Sequence, residues 1–212
     1  ATDQIQRKSH TATSAAMAER QLWLLRHGAT EWALNGRHTG TTDLPLLPQG
    51  EQEAEALAPI LSSRSFAAVF TSPLQRARRT CELAGLGSNA EIVEDLREWN
   101  YGDYEGITTK VIRETVPDWT IWSHGCPGGE NDQAVQSRCQ LVIERALAAP
   151  GPGDVALFAH GHILRALSGT WLGLGAAGGK LLILGTASIS ILGFERESRA
   201  ISRWNAPTGG KF

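Results

Sequence analysis

The stretch "LLRHGATEW", residues 24–32, passes from an apolar run to an arginine, a histidine and a glycine with nothing between. Residues 22–26, "LWLLR", are a short apolar segment with the pattern of a buried strand. A strand that gives its apolar residues to a core and ends on Arg26-His27-Gly28 delivers a cation and an imidazole to one edge of a sheet. Two later segments repeat the arrangement. "AAVFTS" (67–72) reads as a strand followed by Pro73 and a helix with Arg76 in its first turn, and "DVALFA" (154–159) as a strand followed by His160-Gly161-His162.

Helical patterns fill the intervals. Over residues 49–62, Ala54, Leu57, Ala58 and Leu61 share a face, with Glu51, Glu53 and Glu55 elsewhere. Pro73 suits a first helical position with Ser72 as cap, and Leu74, Ala77, Cys81 and Ala84 line that helix. Residues 133–148 place Val135, Cys139, Val142 and Ala146 on one side, and 163–172 are helical. "EIV" (91–93) reads as a short strand, "KLLIL" (180–184), "SISILGF" (188–194) and "AISRW" (200–204) as tail strands, and the chain from the first strand to Pro48 as a loop. Strands alternating with helices predict an α/β fold, a three-layer sandwich with a mostly parallel sheet flanked by helices. Residues 94–132, rich in Trp, Gly and acids, are long for a connection and predict a lid insertion around residues 100–132.

The bulk properties exclude several classes. The formal charge of the 212 residues is −2 with no basic block, which argues against a nucleic-acid partner. No apolar run reaches the length of a membrane span. Three cysteines, Cys81, Cys126 and Cys139, lack metal-ligand spacing and read as reduced, structural thiols of a cytoplasmic protein. Residues 1–20 are polar and aperiodic, a disordered leader or expression-derived segment in which Met17 would be a native start; a trimmed transit-type extension is the other reading. Residues 21–212 then form one domain.

In such sheets ligands bind beyond the carboxyl ends of the strands, where all three clusters fall. If the first and third strands are neighbours, ~4.8 Å apart, His27 and His160 flank one small tetrahedral group. Arg26 and Arg76 are planar forks suited to phosphate oxygens, and Gly28 and Gly161 permit close backbone approach. A neutral imidazole can act as a nucleophile toward phosphorus. The leaving oxygen needs an acid, and "REWNYGDYEG" (97–106) offers Glu98 and Glu105 ahead of Asp95 and Asp103, with Trp99, Tyr101 and Tyr104 as an apolar wall. The His160-x-His162 pair raises a metallohydrolase, but no carboxylate–histidine set with ligand spacing accompanies it. "GLGAAG" (173–178) matches a dinucleotide fingerprint only formally, since it follows a helix and reads as a helix stop.

These residues resemble the histidine phosphatase superfamily, which includes the cofactor-dependent phosphoglycerate mutases. The resemblance runs through "LLRHGATEW", "TSPLQRARRT", the spacing of Glu98, Gly102, Glu105 and Gly106, and "LFAHGHILR", in order across residues 22–165. It implies that His27 is the phosphorylated nucleophile and that Arg26 and Arg76 clamp the phosphoryl oxygens. His160 and the Gly161 N–H complete the pocket, and Glu98 is the proton donor. It places Arg37, Thr39 and Gly40 in a substrate-contacting loop, with Tyr101 and His162 as further substrate-side residues, and implies no metal and no cofactor. One departure stands out: many members carry asparagine six residues after the histidine, where this chain has Ala33.

A looser resemblance, in "GRHTGTTDLPL" and "WNYGDYEG…IWSHGC", is to a subgroup with sedoheptulose-bisphosphatase-like enzymes and actinobacterial acid phosphatases. It implies hydrolysis of small phosphomonoesters, sugar phosphates or bisphosphates, with Trp122 and His124 against a polyol. The alternative is a mutase, whose adjacent basic pair for a carboxylate has no counterpart in Lys110 and Arg113. A catalytically dead phosphoester-binding module is disfavoured by retention of the whole set. The expected partner is a small phosphorylated metabolite, and the tail strands leave a homo-oligomer open.

Overall fold

The computed structural model describes residues 20–210. In chain order its elements are β1 (Leu22–Arg26), α1 (Glu31–Asn35), α2 (Pro48–Glu55), α3 (Ala58–Leu61), β2 (Phe66–Thr71), α4 (Gln75–Leu83), β3 (Ala90–Ile92), α5 (Thr109–Ile112), α6 (Ile121–His124), α7 (Asp132–Leu147), β4 (Asp154–Ala159), α8 (Gly161–Trp171), β5 (Ile189–Glu195) and β6 (Ser198–Ala206), with short 3₁₀ turns between. Among the described residues the strands form one six-stranded sheet ordered β3-β2-β4-β1-β5-β6. β1 through β4 run parallel, and β5 and β6 close one edge antiparallel.

The period-two geometry of β1 and β4 builds the layers. Leu22 and Leu24 pack with Val155, Leu157, α7 and α8 on one face, while Trp23 and Leu25 pack with Ala156, Phe158, Leu57, Leu61 and Cys81 on the other. Apart from Asp154 at the start of β4 and Arg26 at the end of β1, both strands are therefore apolar, as a sheet covered on both faces requires. In-register pairing of Arg26 with Ala159 brings the ends of β1 and β4 side by side, so the residues just beyond, His27 and His160, become neighbours.

Several local expectations are corrected. The helix read over 49–62 is two pieces, because Pro59 lacks an N–H and its ring is incompatible with the carbonyl four residues back. The loop before Pro48 contains α1, capped by Thr30 Oγ1 and ended by Gly36 at φ 77°. Helix α4 begins at Gln75 rather than Pro73, and α8 begins at Gly161, which places His162 in its first turn. "KLLIL" is not a strand: residues Ala176–Leu181 form a 3₁₀ turn, and Leu181 and Ile183 are 68% and 78% exposed, outside the sheet. "GLGAAG" does stop a helix, with Gly173 and Gly175 at positive φ.

Residues 97–132 hold α5, α6 and short turns. Their Trp99, Tyr101, Trp119 and Ile121 join the same buried cluster as β1, β4 and α8, so the segment is a packed wall. The leader read over 1–20 lies outside the described residues except for Arg20, which belongs to the fold. Its guanidinium is buried and donates to the carbonyls of Ala146, Leu147, Ala149, Gly151 and Gly153 at the end of α7. These carbonyls stand at and just beyond the end of α7, where the helix itself leaves its last acceptors short of N–H partners. Arg20→Ala should therefore cost about 2–3 kcal/mol, the scale of hydrogen bonds from a charged donor. The check is a lower melting temperature with turnover per folded molecule unchanged.

Candidate active site

The four parallel strands aim their carboxyl ends at one region. His27 is 4% exposed, and Arg76 and His160 are fully buried. The His27 and His160 rings lie 5.2 Å apart, edge to face. His27 Nδ1 is 2.7 Å from the carbonyl oxygen of Gly28. A carbonyl only accepts, so Nδ1 carries the proton and Nε2 keeps its lone pair. Burial, then the charges of Arg26 and Arg76, hold the His27 pKa well below the usual imidazole range.

His160 is fixed from both sides. Arg76 Nε donates to its Nδ1 at 3.1 Å, and its Nε2 pairs with Ser72 Oγ at 2.7 Å. Ser72, expected as a helix cap, does accept the Leu74 N–H but also orients this ring. Arg76 also donates to the carbonyls of Thr39, Gly40 and Thr42. Arg26 Nη1 donates to Leu184 O, while its Nε is buried with no partner. A Cβ on Gly161 would sit 3.3 Å from the Arg26 guanidinium carbon, so glycine lets the start of α8 approach that cation.

The two acid candidates separate by their contacts. Glu98, 7% exposed, lines the cleft that contains Arg26, and accepts the N–H groups of Trp99, His162 and Ile163 at 2.8–3.0 Å. It therefore caps the N-terminus of α8 beside Gly161. Glu105 accepts the Gly40 and Thr42 N–H groups and lines no part of that cleft, which makes it the anchor of the 39–42 loop.

Arg37, Thr39, Tyr101, Gly161 and His162, expected on the substrate side, line the same cleft. Gly40 lies apart, on a neighbouring cavity that also touches Glu98. Trp122 lies behind the wall, edge-on to Trp99 and under the Arg165 guanidinium, and His124 is exposed and bonded to Ser123. Neither side chain lines the cleft, because α6 turns its indole toward the core and its histidine outward. His27, Arg76 and His160 do not line it either; Arg26 and Glu98 are the charged groups of the set that do.

Sequence reasoning missed Trp32, His38, Arg165 and Leu184, all of which line the cleft. Arg165 follows Gly161 by one helical turn, a spacing that could have flagged it. His38 stacks near His162 and Tyr101, and burial lowers its pKa, but a lone histidine in a loop carries no such signal. Ala33 faces the cleft where an asparagine was anticipated. The His160-x-His162 pair does not converge, since the His162 Nδ1 is bonded to the Tyr101 hydroxyl. Among the described residues no three His, Cys, Asp or Glu side chains are grouped to hold a metal ion.

A neutral, tautomerically fixed histidine among buried guanidinium groups at the carboxyl edge of a parallel sheet makes a pocket suited to a phosphoryl group. The chain belongs to the histidine phosphatase superfamily (branch 1), whose family pattern matches residues 22–207. It is 42% identical over 184 residues to an acid phosphatase of Mycobacterium tuberculosis, covering 86% of this chain and 90% of that one. It is 36% identical over 182 residues to the sedoheptulose 1,7-bisphosphatase of Saccharomyces cerevisiae, covering 72% and 67%. Among solved structures it is similar to mycobacterial glucosyl-3-phosphoglycerate phosphatase Rv2419c in complex with VO3, at TM-score 0.78 and 31% identity over 88% of this chain and 99% of that one.

The buried imidazoles give the fold a pH dependence. Burial is the first cause that keeps His27, His160 and His162 neutral well below their ordinary pKa. The unfolded chain would protonate all three below about pH 6.5. The unfolded state then binds more protons, so stability falls as the pH drops below that value. Melting temperatures should decline between about pH 7.5 and about pH 5.5, and less steeply in His162→Phe. Equal slopes in the two proteins would refute the assignment.

Proposed function

We propose that the chain hydrolyses small phosphomonoesters, sugar phosphates or bisphosphates, through a phosphohistidine on His27. One observation carries this: His27 Nδ1 is tied to the Gly28 carbonyl, leaving Nε2 as the free nucleophilic atom beside Arg26 and Arg76. Nε2 attacks phosphorus as the bond to the leaving oxygen breaks, and Glu98 gives that oxygen a proton. Water then attacks the phosphohistidine, Glu98 takes a proton from it, and inorganic phosphate leaves. Arg26, with a buried Nε that has no protein partner, is the ready clamp for the transferring oxygens. Arg76 joins it by exchanging loop carbonyls for phosphoryl oxygens. The Gly161 N–H completes the oxyanion contacts.

The sugar-phosphate substrate class is supported by the names of the relatives and by the mixture of cations, aromatic rings and neutral imidazoles in the cleft. Hydrolysis is favoured over mutase chemistry because Lys110 and Arg113 stay out of the cleft, Arg113 being bonded to the Trp119 carbonyl. Three free, buried cysteines, their thiols pushed up to about 12 by burial, support a reducing cytoplasmic setting. Among the described residues no helix is long and apolar enough to cross a membrane.

His27→Ala should abolish both turnover and labelling by a phosphorylated substrate. Glu98→Gln should slow turnover by ~10²–10⁴, the usual loss on removing a general acid, while inorganic phosphate still binds. Glu105→Gln should impair activity through the loop, raising KM more than it lowers kcat. A panel of sugar bisphosphates, monophosphates and phosphoglycerates, read for released phosphate against isomerised product, separates hydrolysis from transfer. An active His27→Ala protein sinks the mechanism.

A further inference from the structure

Glu53 lies on α2, among the acidic residues that the helical pattern assigns away from the apolar face. Its carboxylate is half-buried and not a free surface charge. Glu53 Oε2 accepts the backbone N–H of Ala29 at 2.9 Å, and its Oε1 is held by the Gln49 side-chain amide at 3.0 Å. The Ala29 N–H and the Gly28 C=O are the two ends of one peptide group. That carbonyl oxygen is the atom 2.7 Å from His27 Nδ1. A carboxylate, a peptide group and the nucleophilic imidazole thus stand in one hydrogen-bonded chain.

The surrounding backbone holds that peptide group rigidly. The Gly28 N–H donates to Thr80 Oγ1, and the Leu47 N–H donates to the Ala29 carbonyl. Gly28 and Gly50 pack so closely that a Cβ on Gly28 would lie 2.2 Å from the Gly50 carbonyl oxygen. A peptide whose N–H donates to a carboxylate has a more electron-rich carbonyl, because linked hydrogen bonds polarise one another. The stronger acceptor holds the Nδ1 proton more firmly and leaves more electron density at Nε2.

We propose that Glu53 is a positioning residue for the nucleophile: through the Gly28–Ala29 peptide it fixes the His27 tautomer and raises the basicity of Nε2. The role in turnover rests on the phosphohistidine reading above, whereas the coupling itself belongs to the resting protein. It works against Arg26 on β1 and Arg76 on α4, which with burial oppose a charge on the ring, while His160 at the end of β4 faces it edge-on. A carboxylate kept one peptide away offsets that field without offering His27 a direct ion pair that would protonate it.

Glu53→Gln tests the charge, since the amide oxygen can still accept the Ala29 N–H. In protein with ¹⁵N-labelled histidine, the His27 Nδ1 proton should resonate downfield and move upfield in the variant. The acid limb of kcat/KM should shift to lower pH by about half to one unit, about three- to tenfold in proton affinity. Turnover should fall by a similar factor with KM unchanged. Glu53→Ala, which also removes the acceptor, should exceed these effects, with melting curves verifying that both variants fold. An unmoved Nδ1 resonance and an unmoved acid limb in folded Glu53→Gln overturn the proposal. If the resonance moves in a protein that hydrolyses no phosphomonoester, the coupling stands and the phosphohistidine reading fails.

Discussion

The buried guanidinium of Arg76 holds the catalytic end of the sheet together. It joins three parts of the chain that are far apart in sequence: α4, the 39–42 loop through three carbonyls, and the end of β4 through His160. A cation taken out of water is costly unless its donors are satisfied, so each of these contacts is enforced. The 39–42 loop is pinned a second time when Glu105 takes the N–H groups of Gly40 and Thr42. That loop therefore has its carbonyls drawn to a cation and its amides to an anion. A residue that the resemblance casts as a phosphate clamp is also the main organiser of the pocket around it.

The fold was legible because its signal is physical and local. Strands β1 and β4 are apolar on both faces, as a sheet covered by helices on both sides requires, and β5 extends that sheet antiparallel. Of the candidate set, Arg26, His27, Arg76 and His160 were legible because each stands at a strand end or in the first turn after it, whereas Glu98 lies in the irregular stretch beyond β3. What escaped was what depends on tertiary contacts. "KLLIL" has the composition of a strand, yet Leu184 stands beside Arg26, Ile183 holds the Trp204 indole through its carbonyl, and the segment serves as a rim. Trp122 and His124 are adjacent to one another within two positions, but a single helical turn sends one inward and the other into solvent. Glu53 looked like a solvated face because helical periodicity says nothing about a backbone N–H arriving from another segment.

The wall formed by residues 97–132 shows how substrate side and core are shared. Tyr101 is buried in the main cluster yet lines the cleft, and its hydroxyl fixes the His162 ring. Glu98 faces the cleft while capping α8 through the His162 and Ile163 N–H groups and accepting its own neighbour's N–H, that of Trp99. A residue engaged in both ways cannot move without disturbing both the helix and the acid's placement. The placement of the candidate acid is thus inherited from the helix that carries Gly161, Arg165 and the neighbouring amides.

The electrostatic design has one direction. Arg26, Arg37 and Arg165 line the cleft without a salt bridge, Glu98 is the one carboxylate among the side chains lining it, and the imidazoles of His27, His160 and His162 are held neutral by burial. An unliganded protein with several confined cations and few anions carries a self-repulsion that a bound dianion removes. The same desolvation that confines these cations strengthens every contact to phosphoryl oxygens once water is excluded. Neutral histidines are the necessary complement: protonated rings would add to the repulsion and take the lone pair out of the reaction. Holding His27 unprotonated among arginines and restoring its basicity through a peptide rather than a contacting carboxylate are therefore two parts of one solution.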